Sequence, residues 1–186
     1  MVVHSLTPER KDDFLAYFDH EAFSDNAEWA TCYCFCYSFG GGQEAWNVRT
    51  GEENRRDQST LIANGDATGY LAYAGGKVVG WCHAVPRGVL PALEEPTADG
   101  EEVVGAFVCF NVAPRYRGHG LARALLGAAC DGLAAQGCTV AEAYPPISPD
   151  SDARAYRGPL RMYLAAGFTE VRREGPYAVV RKSLRP

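Results

Sequence analysis

The segment formed by residues 108–126, VCFNVAPRYRGHGLARALL, limits the possible folds more than any other part of this chain. Residues 103–112 form an apolar run rich in β-branched and aromatic side chains, which predicts a buried strand. Gly118 and Gly120 come next, and an apolar helical repeat begins at Leu121. The segment therefore predicts a strand, a glycine-rich turn and a helix N-terminus in direct succession.

Such a turn is suited to binding an anion. Glycine has no Cβ, so the backbone at Gly118 and Gly120 can approach a ligand closely. The first amides of a helix have no intrahelical acceptor and carry partial positive charge. Arg115 and Arg117 add charged donors beside them. We therefore expect the turn to hold phosphate or pyrophosphate.

Two familiar glycine motifs do not fit this turn. A P-loop has a Lys-Ser/Thr pair after its last glycine, whereas Leu121 and Ala122 stand here. The dinucleotide fingerprint needs a third glycine, and Arg123 occupies that position. What remains is R-x-x-G-x-G, and the plain alternative is an ordinary strand–helix turn with no ligand.

With the strand before it and the helix after it, the motif Arg115-x-x-Gly118-x-Gly120 resembles the acyl-CoA-binding turn of the GNAT superfamily of N-acyltransferases. A second pattern, Tyr163-x-x-x-Gly167-Phe168, is similar to one that often follows about forty residues later in that family. The resemblance implies that Tyr163 lies near the sulfur of CoA and protonates the departing thiolate. A tyrosine that only packs on the sheet is the alternative.

The order of predicted elements also resembles the GNAT layout. We expect a strand at residues 2–6, helices at 8–18 and 52–63, a hairpin at 69–74 and 77–85, a strand at 138–143, a helix at 158–166 and a closing hairpin at 168–173 and 177–182. The resemblance implies an α/β fold in one domain over residues 1–186. Its central sheet is mixed and mostly antiparallel, with helices on both faces.

In that fold the strands at 103–112 and 138–143 run parallel and splay apart, and acetyl-CoA enters the gap as co-substrate. The resemblance implies that its pantetheine amides pair with the edge of the first strand, around Phe110, Asn111 and Val112. The residues implied to bind the cofactor are Asn111, Val112, Arg117, Gly118, His119, Gly120, Leu121 and Ala122.

Bulk properties exclude other classes. The chain has 186 residues and a formal net charge of −5, which disfavours binding to nucleic acid. It has no apolar run of eighteen residues and no signal-like N-terminus, so we expect a cytoplasmic protein with no membrane contact. Seven cysteines, an odd number mostly within apolar runs, indicate reduced thiols.

The implied reaction is transfer of an acetyl group to a primary amine of a small molecule or peptide. The amine must lose a proton, the thioester oxygen needs a donor and the thiolate needs an acid. The amide of Val112 is the implied donor. Glu102, Glu142 and His83 are alternative bases, and a lone histidine in an apolar strand is more often a packed residue. A further alternative is that the amine becomes neutral through desolvation and proton transfer to water, with no protein base.

One position departs from the family pattern. Many GNAT members have an asparagine that contacts pantetheine at the start of the last helix, and here Tyr156-Arg157-Gly158 stands instead. Tyr156 or the backbone at Gly158 is the candidate substitute.

A segment with alternating cysteines and aromatic residues, WATCYCFCYSF, spans residues 29–39. If this segment were a strand, its three thiols would share one face and its aromatic rings the other. Zinc sites need a second ligand pair, which is missing, so we expect no metal. We instead expect an acceptor-pocket wall suited to a small cationic or flat amine, with Asp25, Glu28 and the loop 94–102 adding negative charge. The wall residues are Trp29, Tyr33, Phe35 and Tyr37, together with Trp46.

Three other functions stay open. The acyl group could be longer than acetyl, since the splayed strands do not set its length. The chain could be a non-catalytic module that binds or senses acyl-CoA. It could also be a metal or redox protein that uses Cys32, Cys34 and Cys36. A homodimer formed through residues 177–180 is compatible with the sequence, and a packed core face at these residues is the alternative.

Overall fold

The computed structural model describes residues 1–93, 102–151 and 153–185, with the backbone only at Ala27 and Ala153. Seven strands form one sheet in the order β1-β2-β3-β4-β5-β7-β6. The strands are β1 (Val2–Ser5), β2 (Tyr70–Ala74), β3 (Lys77–Pro86), β4 (Val104–Val112), β5 (Val140–Ala143), β6 (Thr169–Glu174) and β7 (Tyr177–Ser183).

The sheet has the mixed topology that the sequence predicted. Every neighbouring pair is antiparallel except β4 and β5, which run parallel. Their pairing begins at Val104 opposite Val140 and ends at Phe107 opposite Ala143. β4 continues to Val112 after β5 has ended, and Tyr144-Pro145-Pro146 follows β5. Prolines have no N–H to extend a ladder, so the strands separate there.

Helices cover both faces of the sheet. The helices are α1 (Lys11–His20), α2 (Ala27–Ala30), α3 (Gly42–Asn47), α4 (Gly51–Asn64), α5 (Leu121–Ala135) and α6 (Leu160–Ala165). Residues of α5 and α6 share a buried cluster with Phe107 and Phe110, whereas α1 and α4 pack with Trp81 and Cys109 on the opposite face. Within the described ranges no helix combines the length and the apolar character needed to cross a bilayer.

The helix ends follow local chemistry. Thr50 and Glu53 form a reciprocal capping box at the start of α4, and Gly65 ends that helix with a φ of 79°. The helix predicted from Pro8 begins as a 3-10 turn, Pro8–Arg10, before α1. The helix predicted at 158–166 starts only at Leu160, because Pro159 is extended and Gly158 has a φ of 83°.

Residues 29–39, which we call the Cys-aromatic segment, do not form the strand considered for them. Residues 29–39 form the end of α2 and a series of turns. Tyr33 and Cys34 have φ values of 47° and 54°, in the left-handed region that L side chains rarely adopt. The alternation of cysteine and aromatic residues therefore does not sort them onto two faces, because the turns rotate each side chain separately.

Candidate functional site

The N-terminus of α5 presents a set of backbone amides without a side-chain cap. Gly118 and Gly120 have φ values of 77° and 81°, which only glycine adopts at little cost. Gly120 is the N-cap residue, and no side chain in the described ranges caps it. His119 contributes a ring contact from Nδ1 to the carbonyl oxygen of Arg117 at 2.7 Å. The turn therefore has the open donors that an anion requires.

Arg115 and Arg117 are already paired. Arg115 donates to Glu21 at 2.7 Å, and Arg117 donates to Asp25 at 2.5 Å and to the carbonyl of Val112 at 3.0 Å. The contact with Val112 fixes the turn against the end of β4. Arg117 thus shapes the turn, and its charge is shared with Asp25.

Two other arginines lie beside the turn, and the sequence analysis did not single them out. Arg123 and Arg161 line a cavity of about 340 Å³ between the start of α5 and α6. Neither forms an ion pair within the described part of the chain. The sequence alone could have indicated Arg123, because it lies in the first turn of the helix that follows the glycines. Arg161 is distant in sequence and lies beside the glycine turn only because α6 packs there.

The edge of β4 that was expected to pair with pantetheine is already occupied at Phe110. The amide of Phe110 donates to the carbonyl of Tyr156 at 2.5 Å, so the chain itself occupies this position. The amide of Ala113 donates to Val79 on β3 at 3.0 Å. Because strand amides alternate in direction, the amide of Val112 points to the same edge as that of Phe110. No described residue accepts a hydrogen bond from it.

Asn111 faces the other way. Its side chain accepts a 2.5 Å hydrogen bond from the buried hydroxyl of Tyr17, and its backbone carbonyl lies 3.2 Å from the same hydroxyl. Asn111 thereby fastens α1 to the end of β4. This side-chain role is structural, although Asn111 also lies on the cavity wall.

A cavity of about 890 Å³ opens where β4 and β5 separate. It joins the end of β4 and the glycine turn to the segment before α6 and the loop after β5. A second cavity of about 480 Å³ shares Pro146, Ile147, Pro149, Asp150 and Tyr156 with it, and adds Trp29 and Tyr177. The two cavities therefore adjoin, with Tyr156 in the wall of both. Their volumes fall within the range of small-molecule sites.

Tyr163 lies directly behind the wall of the larger cavity. Its side chain is fully buried, and its hydroxyl donates to the carbonyl of Arg157 at 2.8 Å. A Cβ on Gly158, which lines that cavity, would lie 3.1 Å from this hydroxyl. Burial raises the pKa of Tyr163 well above its usual value, so the phenol stays protonated. Gly158, which has no side chain, is thus the residue that lies between the cavity and the hydroxyl of Tyr163.

Glu142 lies in an ion cluster away from these cavities. Its fully buried carboxylate accepts from Arg87 at 2.5 Å and from Arg181 at 2.5 Å, and also from the hydroxyl of Tyr144. Burial alone would raise the pKa of this carboxyl, but the hydrogen bonds from Tyr144 and Arg181 outweigh that effect and lower it. Both oxygens are engaged, which suits a structural role.

Glu102 and His83 lie away from the glycine turn as well. Glu102 precedes β4 at its opposite end and pairs with Arg181 at 3.2 Å. The nine residues from Val104 to Val112 alone span about 26 Å. His83 is buried opposite Cys109, with its Nδ1 3.3 Å from the sulfur of Cys34. Neither residue lines the two adjoining cavities.

The structure separates the four aromatic residues that we expected in one wall. Trp29 lines the smaller cavity and packs edge-on against Tyr156, with ring centroids 5.1 Å apart. Tyr37 lies nearby and contacts Arg157. Phe35 packs instead with Phe39 and Trp46, and Tyr33 donates to Asp19 at 2.7 Å. Residues 94–101 of the acidic loop lie outside the described ranges.

The cysteines are all free thiols. In the described part of the chain, no group of three histidine, cysteine or carboxylate side chains has the arrangement to hold a metal ion. Cys32 and Cys36 interact with each other, and the hydrogen bond from Cys36 lowers the pKa of Cys32 to about 7. Burial is the main factor that raises the pKa of Cys34.

Comparison with known proteins agrees with this geometry. The profile of the acetyltransferase (GNAT) family matches residues 3–168, which is most of the chain. No curated protein sequence matches.

Solved structures share the whole fold at low sequence identity. A ribosomal-protein-alanine N-acetyltransferase from Brucella melitensis superposes with a TM-score of 0.56 and 15% identity, covering 98% of this chain and 99% of its own. A PaiA N-acetyltransferase from Thermoplasma acidophilum, in complex with coenzyme A, gives 0.51 and 14%, covering 98% and 99%. An aminoglycoside 6′-acetyltransferase type Ii gives 0.58 and 14%, covering 100% and 99%. At these identities the likeness shows the fold alone.

Proposed function

The chain belongs to the GNAT acetyltransferase family, and from this premise we propose that it transfers an acetyl group from acetyl-CoA to a primary amine of a small molecule or peptide. Transfer is direct, within a complex that holds both substrates. The observation that carries the proposal is the uncapped N-terminus of α5, which opens beside the free amide of Val112 at the separation of β4 and β5.

The residues present fit acetyl-CoA. The amides that follow Gly118 and Gly120 are donors for its pyrophosphate, and Arg123 and Arg161 supply positive charge next to them. The larger cavity leads from this turn along the edge of β4, and can take the pantetheine arm. Because the amide of Phe110 is bonded to Tyr156, the amide of Val112 is the main backbone donor left at this edge.

The amide of Val112 binds the thioester oxygen and stabilises the negative charge that develops on it. The amine nitrogen forms a bond to the carbonyl carbon, and the carbon–sulfur bond breaks. Tyr163 gives its proton to the thiolate, the amine proton leaves to water, and water then returns a proton to Tyr163. We assign no base among Glu102, Glu142 and His83, because none lines the adjoining cavities and both oxygens of Glu142 are held by hydrogen bonds.

Calorimetric titration with acetyl-CoA and CoA, with AMP as control ligand, tests the cofactor part of the proposal. We expect micromolar binding of acetyl-CoA that Gly118→Asp abolishes, because a carboxylate enters the anion site. The matched control is Gly137→Asp: that glycine also has a positive φ (87°) and open space around a Cβ, but it lies at the other end of α5. Equal loss of binding in both variants would refute the assignment of the turn.

Mass-spectrometric detection of acetylated products from a panel of primary amines tests the transfer. Binding of acetyl-CoA without any product would contradict catalysis and favour the binding or sensing module. Comparison of acetyl-CoA with longer acyl-CoAs in the same assay decides the acyl length.

A further inference from the structure

The side chain of Arg157 is surrounded by tyrosines. The centre of its guanidinium lies 4.4 Å from the ring of Tyr177, 5.4 Å from that of Tyr156 and 6.0 Å from that of Tyr37. Its Nε donates to the hydroxyls of Tyr37 at 3.2 Å and Tyr156 at 3.1 Å. The three rings form an aromatic cage around a cation that belongs to the chain itself.

Among the residues that the structure describes, this cation has no carboxylate partner. In the described ranges no carboxylate pairs with Arg157, and neither terminal nitrogen of its guanidinium takes part in a hydrogen bond. Burial raises the pKa of Tyr37 and of Tyr156, so both hydroxyls stay neutral at physiological pH. A half-buried charge without an anionic partner is costly to keep, unless a ligand provides one.

The cage lies at the cavity next to the proposed cofactor site. Tyr156 and Tyr177 both line the smaller cavity, and Tyr156 also lines the larger one. The charged residues of the smaller cavity, Asp150 and Arg154, pair with each other at 3.2 Å. Within the described ranges Arg157, which contacts Tyr156 and Tyr177 in this cavity wall, is therefore a charge without a carboxylate partner beside the smaller cavity.

Building on the proposed function, we propose that the acceptor carries an anionic group, in the simplest case a carboxylate, and that Arg157 binds this group through its terminal nitrogens. The cage orients the guanidinium, and two parallel hydrogen bonds to a carboxylate suit its planar shape. The acceptor is thus an amino acid or a peptide with a free carboxylate. This differs from the cationic acceptor expected from the aromatic residues, because the chain's own arginine already occupies the place of a cation.

Matched acceptor pairs test the inference. Glycine, β-alanine and γ-aminobutyrate are each compared with the corresponding primary amide, which keeps the amine and the chain length but removes the charge. The three lengths cover different distances between Arg157 and the reacting carbon. Aminomethylphosphonate shows whether the site takes carboxylates or other small anions.

We expect the wild-type kcat/KM to favour at least one acid over its amide by about tenfold or more, as for a charge-assisted hydrogen bond. Arg157→Met should bring that ratio close to one and raise the KM for the acid. Arg157→Lys should keep part of the preference, since it keeps the charge. Arg173→Met is the control for net charge, because Arg173 is exposed and pairs with Glu170 on β6.

The ratio is measured within each variant, so it does not depend on how much of the protein is correctly folded. A wild-type protein that acylates amides as well as acids overturns the inference, and so does a preference that survives in Arg157→Met. Transfer to none of the amines overturns the proposed function instead, a result that the acetyl-CoA titration separates from loss of cofactor binding.

Discussion

The hydroxyl of Tyr163 donates a 2.8 Å hydrogen bond to the backbone carbonyl of Arg157. This bond links the candidate acid on α6 to the residue whose side chain occupies the tyrosine cage. The carbonyl of the neighbouring Tyr156 accepts from Phe110 on β4. The carbonyls of Tyr156 and Arg157 therefore connect the segment before α6 to β4 and to α6, the two elements that carry Val112 and Tyr163.

Tyr163→Phe should reduce kcat at least tenfold and leave the Kd of acetyl-CoA unchanged, because only the proton donor is removed. The lost hydrogen bond should lower the free energy of unfolding by about 1 kcal/mol. Tyr73→Phe is the control: it also removes a 2.8 Å hydrogen bond, to Asp13, but far from the cavities. Unchanged turnover in Tyr163→Phe would show that the tyrosine only packs.

Gly158→Ala should disturb both stability and cofactor binding. Its Cβ would lie 2.9 Å from Met162 and 3.0 Å from the ring of Tyr163, and its φ is 83°. Gly167→Ala is the matched control, because Gly167 has a φ of 85° with nothing within 4 Å. We expect about 1–2 kcal/mol of destabilisation from backbone strain in the control, and a larger loss in Gly158→Ala. Thermal unfolding and calorimetry measure the two effects; equal values would contradict the close contact.

Arg161→Met should weaken binding of acetyl-CoA several-fold, because a positive charge next to the proposed phosphate site is lost. The difference from the wild type should shrink as the salt concentration rises, since salt screens interactions between exposed charges. Arg56→Met, on α4 and away from these cavities, should change neither the affinity nor its salt dependence. Titrations at low and high salt provide the measurement.

Glu142→Gln should lower the free energy of unfolding by about 3 kcal/mol at pH 7, since three arginines lose their charged partner. The pKa of Glu142 is lowered in the folded state, below its ordinary value of 4.5. Its contribution is therefore complete above that value and is lost as the pH falls through the folded pKa. The difference in the free energy of unfolding between the wild type and Glu142→Gln should therefore become smaller at acidic pH.

Glu170→Gln is the control for the preceding prediction, because Glu170 pairs with the exposed Arg173 outside this cluster. It should change stability by less than about 1 kcal/mol. A Glu142→Gln variant as stable as this control would show that the buried cluster contributes little. Chemical denaturation at pH 7 and at several pH values below 4.5 distinguishes the outcomes.

Cys32 should react with iodoacetamide before the other thiols. Its pKa is lowered to about 7, and its side chain is half-buried. Its labelling rate should therefore rise as the pH passes about 7. Cys34 and Cys82, which are buried, should react only after unfolding. Mass spectrometry of the digested protein identifies the labelled residues, and early labelling of Cys34 would contradict the packing of the turns.

The sequence predicted much of the fold. The strand–turn–helix segment from β4 to α5 and the parallel pair within a mixed sheet agree with the structure. These features depend on local signals: an apolar run, glycines at positive φ and helical periodicity act within one short segment. For the same reason the glycine turn and Val112 could be named before any coordinates.

Contacts between distant residues decided the rest. The pairing of Arg117 with Asp25 and the ion pairs of Glu142 with three arginines join residues far apart in the chain, and no local pattern shows them. The same is true of the Cys-aromatic segment, where turns separate Phe35 from Trp29. By itself the sequence determined the fold and the open glycine turn at the start of α5; tertiary packing alone decided which arginines are paired and placed Arg157 among Tyr37, Tyr156 and Tyr177, because charge compensation depends on distances in space.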